Sequence, residues 1–156
     1  MGKINSLLGF FQKQKPIIDT LYKGIKDIDL SVYENQFVFA LKAQQLYTAL
    51  EELFKSVVRT FENSIDDHTK YHIEILKVVS MDVHDIRPKL ISDDSYKFLD
   101  KLRSFRHFIR HGYNYELDVD ELFLLQKKLN QSFQSVIDDI ESFTQFLSNL
   151  LVSDEH

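Results

Sequence analysis

The stretch VDELFLLQKKLNQSFQSVIDDIESFTQFLSNLL, residues 119–151, carries apolar side chains at Leu122, Leu125, Leu129, Phe133, Val136, Ile140, Phe143, Leu147 and Leu150. Steps of three and four draw one stripe down a long helix, where a strand would alternate. Asp118 precedes it as an N-cap, and Glu121 completes a capping-box-like start. Such a stripe serves as the spine of a bundle or as a dimer seam. Working outward, a second long helix is expected over residues 32–64, with Phe37, Leu41, Leu46, Leu50, Leu53, Val57 and Phe61 on its apolar face and Ser31 as its cap. A shorter amphipathic helix carries Ile17, Ile18, Leu21, Ile25 and Ile28 and is expected to begin near Pro16, a residue suited to a first helical turn. The spacing also predicts a helix over residues 68–81 and another opened by Asp93-Asp94-Ser95 and closed near Gly112. No stretch alternates as a strand would, so the fold class is all-α, a bundle of about five helices.

The composition narrows the function classes. The 156 residues suit one domain over 1–156, with residues 1–15 as a candidate flexible N-terminal extension. Glycine and proline total six, too few for a turn-rich β-sandwich. No apolar run approaches the roughly 20 residues that span a bilayer, so no membrane role is expected. Acidic residues outnumber basic ones 24 to 19, giving −5, which excludes a whole-surface nucleic-acid binder. The absence of cysteine removes disulfides, thiolate nucleophiles and cysteine-ligated zinc. A cytoplasmic location fits these features.

Residues 97–111 depart from the acidic average: Lys97, Lys101, Arg103, Arg106 and Arg110 stand against Asp100 alone, with His107 and His111 between them. Charge alone fits a solvated helix face. That reading is favoured on charge alone over a local phosphate site in which arginine forks hold non-bridging oxygens. His107 and His111, like His68 and His72, have the four-residue spacing that could chelate a metal on a helix. Arginines crowd the first pair, and no H-E-x-x-H or E-x-x-H motif is present, so no metal or other cofactor is expected.

The order of these residues adds a resemblance. Arg106-His-Phe-Ile-Arg-His111-Gly-Tyr113 reads R-x4-H-x-Y, within the longer string LRSFRHFIRHGYNYELD of residues 102–118. This is similar to the signature of HEPN-domain proteins, specifically the HepT-like ribonuclease toxins, and the resemblance extends over residues 30–150. It implies a homodimeric HEPN-type bundle in which two protomers bring their motifs together on one scissile phosphate. It further implies Arg106 and His111 as catalytic residues and His107 as an orienting residue, with Arg103, Arg110 and Lys101 contacting RNA, either tRNA or mRNA. In that family the partner is an MNT-type nucleotidyltransferase antitoxin, which silences the toxin by AMPylation. The tyrosine of H-x-Y, here Tyr113, would accept the AMP.

The residue types support that chemistry independently. A histidine near its unperturbed pKa of about 6.5 works as acid or base, and an arginine stabilises charge developing on phosphorus. Together they suit metal-independent attack of an RNA 2′-OH on the adjacent phosphate. A second class stays open: a HEPN-like scaffold or binding protein whose basic helix docks RNA or a nucleotide without cleaving it.

Overall fold

The computed structural model describes residues 2–62, 71–111 and 117–154; the side chains at 71–74, 107–111 and 154 lie outside that description. The elements are α1 (Gly2–Ile25), α2 (Tyr33–Glu62), α3 (Tyr71–Val79), α4 (Asp93–His111) and α5 (Val119–Asp154). Among the described residues the one β feature is an isolated bridge between Val83 and Arg87, in the loop before α4. Among the described residues the fold is the expected all-α bundle, with five helices.

α5 is its spine. All the stripe residues from Leu122 to Leu147 are buried within the chain's own core, and Leu150 is half-buried. Of the two roles open to this stripe, the packed spine is the one it fills. Its start follows the expected cap: the Asp118 carboxylate accepts the N–H groups of Asp120 at 3.0 Å and Glu121 at 3.4 Å.

α1 corrects two expectations. It begins at Gly2, so Pro16 lies mid-helix and residues 2–15 form its first half instead of a flexible extension. An interior proline removes one helical hydrogen bond, at a cost of about 3 kcal/mol. Tertiary contacts offset that loss. Leu7, Phe11, Gln14, Ile18 and Ile25 are buried along one face. Phe11 stacks on Phe143 with centroids 5.7 Å apart, and the Gln14 amide donates to the Ala49 carbonyl at 2.9 Å.

In α2, Leu46, Leu50, Leu53 and Val57 are buried as expected, whereas Phe37 and Leu41 are 49% and 57% exposed. The run Phe37-Val-Phe-Ala-Leu41 is apolar on every side, so periodicity cannot choose the inward face there. The face carrying Phe39, Ala40 and Ala43 turns inward instead.

Three polar anchors set the course of α4. Buried Arg87 donates to Glu62 Oε1 at 2.6 Å and to the carbonyls of Val78, Met81 and Pro88, satisfying the chain end of α3. Ser92, not Asp93, caps α4: its hydroxyl accepts the Ser95 N–H at 3.3 Å. The Asp139 carboxylate of α5 then accepts from the Ser92 N–H (2.9 Å) and hydroxyl (3.0 Å) and from the Ser95 hydroxyl (2.5 Å). Glu62 lies near Arg87 and Glu51 near Arg106, so α2 and α4 run antiparallel. α5 also runs antiparallel to α4, since Ser95 meets Ser135 while Phe105 lies beside Leu125. The last turn of α4 is therefore carried toward the N-terminal half of α2.

Candidate functional site

α4 shows different chemistry to its two neighbours. Five residues separate Lys101 from Arg106, a rotation of about 140°. Arg106 accordingly faces α2, and Lys101 lies toward α5.

Arg106 is 5% exposed and Glu51 2%. One guanidinium nitrogen donates to Glu51 Oε2 at 3.2 Å; the other donates to Oε1 and to the Thr48 hydroxyl, both at 3.4 Å. Thr48 gives its own proton to the Gln44 carbonyl at 3.0 Å, which leaves its oxygen to accept. The guanidinium carbon stands 4.6 Å from the centroid of the Tyr47 ring, within cation–π range. Lys55 approaches the same Glu51 at 3.3 Å. Tyr47 is fully buried, and among the described residues its hydroxyl has no hydrogen-bond partner. Burial, reinforced by the Glu51 charge, pushes its phenol well above the ordinary tyrosine value, so it stays neutral.

The other expected site residues are placed unevenly. Arg103 is turned to Asp100, with nitrogens at 3.0 and 3.1 Å from one carboxylate oxygen, and to the Ser104 hydroxyl at 3.2 Å. Lys101 is exposed and faces Lys128 of α5. His107, Arg110 and His111 belong to the last turns of α4 by their backbone, but their side chains lie outside the described residues, and so does Tyr113 altogether. Arg106 and His111 are thus carried on one helix, about 7.5 Å apart along its axis. Among the described residues no group of three or more His, Asp or Glu comes together as a metal site would.

Glu51 is the residue that motif reading misses. Its signal lies in α2's periodicity: Tyr47, Leu50, Phe54 and Val58 mark the inward face, and Glu51 falls among them. A carboxylate at a core-facing position requires a buried partner.

A family model described as "HepT-like protein" matches residues 38–147, which takes in most of α2 and all of α3, α4 and the motif. The chain belongs to the HepT-like family. No curated protein and no solved structure matches it. Among the described residues no helix is long and apolar enough to cross a membrane. The HepT-like match begins within α2, so the α1 packing described above lies outside the matched segment.

The Glu51–Arg106 pair has a measurable consequence. Breaking a buried pair by removing one partner costs about 3–5 kcal/mol, whereas replacing both by apolar groups is close to neutral. Glu51→Ala and Arg106→Ala should each lose stability on that scale in urea unfolding. Glu51→Leu combined with Arg106→Met should recover much of it. Strictly additive losses would show that the two residues act independently.

Proposed function

We propose that this HepT-like protein is a metal-independent endoribonuclease toxin cleaving tRNA or mRNA. The observation that carries the reading is an arginine fixed in orientation by Glu51, Thr48 and Tyr47 on the same helix whose last residue is His111. Membership of a family in which ribonucleases are common supports it. A guanidinium already held in place loses little freedom when it meets a transition state. A helix C-terminus favours imidazolium, which suits proton transfer by His111. One histidine takes the 2′-OH proton, and the 2′-oxygen forms a bond to phosphorus. The bond to the 5′-oxygen breaks, and that oxygen receives a proton from a second histidine. With His111 as the proton-transfer residue in each case, two copies of it at one phosphate require two protomers. His107 orients the group, while Lys101, Arg103 and Arg110 contact the strand.

Exposed apolar residues support the dimer. Tyr33, Phe37 and Leu41 are 66%, 49% and 57% exposed and follow one another at four-residue steps on α2. Two turns beyond Leu41 on the same face is Thr48, the contact of Arg106. A second copy covering this stripe would bring the ends of the two α4 helices together.

One observation favours a second reading, that of a non-catalytic RNA- or nucleotide-binding scaffold. A buried pair with Glu51 is also what a purely structural arginine would make. Catalysis decides between them.

Purified protein should cleave RNA in excess EDTA and leave 2′,3′-cyclic phosphate ends. His111→Ala should reduce the rate by about a hundredfold or more without shifting the unfolding midpoint. Cleavage of a substrate with a 2′-deoxy sugar at the scissile position would rule the mechanism out.

Sedimentation at micromolar concentration should report about twice 18.5 kDa. Leu41→Asp should give a folded monomer that no longer cleaves; a Leu41→Asp protein that remains dimeric would place the interface elsewhere.

Control follows from Tyr113. An AMP attached there, two residues past His111 in the sequence, would add a phosphodiester charge and a base, and both would compete with RNA. Co-expression with an MNT-type nucleotidyltransferase should add AMP to the peptide carrying Tyr113, and Tyr113→Phe should abolish the mass increment. Modification confined to Tyr115 would overturn that assignment.

A further inference from the structure

The face of α4 opposite Arg106 forms a groove with α5. A hollow of about 570 Å³ is lined by Tyr96, Lys97, Lys101, Lys128, Gln131 and Ser132. A second, of about 520 Å³, shares Asp100, Lys101 and Lys128 and continues toward the C-terminal half of α4 between Phe105, Leu124 and Leu125. The two hollows therefore adjoin at a waist where the two lysines stand with Asp100, whose carboxylate is turned to Arg103.

Their electrostatics are unusual. Among the described residues, Lys97, Lys101 and Lys128 make no ion pair with a carboxylate. The carboxylates around the groove have other partners: Asp100 holds Arg103, and Asp118 caps α5. Asp94 and Glu121 lie in the first turns of α4 and α5, where they offset the helix dipoles. Lys101 of α4 and Lys128 of α5 both line the two hollows and face each other there. The proximity of Lys128, with desolvation and like charge, holds Lys101 below the ordinary lysine value. Two facing ammonium groups repel until an anion lies between them, and the Ser132 hydroxyl and Gln131 amide add donors on the α5 wall.

We propose that the Lys101–Lys128 waist binds a phosphate group of an RNA strand, with the neighbouring base in the apolar hollow beside Phe105. The inference rests on the ribonuclease reading only for the identity of the strand. A phosphodiester fits because it presents two non-bridging oxygens to two ammonium groups. A strand fits better than a free nucleotide because the groove continues past the waist in the direction of the motif. Its apolar walls suit a base, and Tyr96 at the far end offers a second aromatic surface.

The test uses a fluorescein-labelled single-stranded 2′-O-methyl RNA, which cannot undergo 2′-attack, with affinity followed by anisotropy across a salt series. Lys128→Ala should weaken binding and reduce the slope of log Kd against log salt by about 0.7, the loss of one single-strand phosphate contact. Lys127→Ala, an exposed neighbour that does not line the groove, should match wild type. Identical behaviour of the Lys128 and Lys127 variants overturns the proposal. ATP that binds in a Lys128-dependent way where the RNA does not would overturn the strand and retain the phosphate. Cleavage separates this inference from the function. A wild type that cleaves, with KM unchanged in Lys128→Ala, removes the groove and leaves the ribonuclease. Lys128-dependent RNA binding without cleavage does the reverse.

Discussion

The contact between Glu51 and Arg106 joins the middle of α2 to the motif end of α4, and the placement of the site follows from it. Both side chains are almost wholly buried, where an unpaired charge would cost several kcal/mol. Their pairing therefore leaves little freedom in how the two helices meet. A slide of α4 by one residue would turn Arg106 by about 100° away from the carboxylate. The pair thus acts as a register lock. The Tyr47 ring and Thr48 hydroxyl then fix the plane of the guanidinium.

The other end of α4 is held by a different neighbour. Asp139 gathers Ser92 and Ser95 against α5 and satisfies donors at the helix start, where backbone N–H groups lack partners. Further back, Arg87 ties the preceding loop to Glu62 at the end of α2. The motif helix is thus clamped by Asp139 at its N-terminal end and by Glu51 near its C-terminal end. Apolar burial of Phe98, Leu99 and Leu102 supplies the attraction between the clamps, and the polar contacts choose the register.

How much of this the sequence discloses depends on how each signal arises. α5 is legible because its stripe is continuous and its cap is local: neither depends on another part of the chain. The N-terminal half of α1 is not, because Pro16 argues against an interior helical position and only contacts with α2 and α5 outweigh it. The exposed Phe37 and Leu41 are missed for the opposite reason, since a run that is apolar all round leaves the inward face to tertiary packing. At the candidate site, the R-x4-H string singles out Arg106 without naming its partner. Glu51 lies 55 residues earlier and belongs to no motif. Lys128 is equally invisible, one lysine among the 19 basic residues, until antiparallel packing brings it to Lys101.

In the proposed reading, the two faces of α4 divide the tasks of binding a strand and acting on it. With a net charge of −5, the chain as a whole repels a polyanion, so any attraction has to be local. Screening confines it to about 8 Å at physiological salt. A guanidinium partly neutralised by Glu51 contributes little at that range, and its value lies in orientation. Lys97, Lys101 and Lys128 are placed the other way: among the described residues none of them is ion-paired with a carboxylate, and they line an open groove. In the proposed reading, the lysine face draws and aligns the strand, while the buried arginine face presents a pre-set donor to the reacting phosphate. Moving the attraction onto Arg106 itself would require removing Glu51, and the orientation would be lost with it. Separating the two tasks onto opposite sides of one helix avoids that conflict.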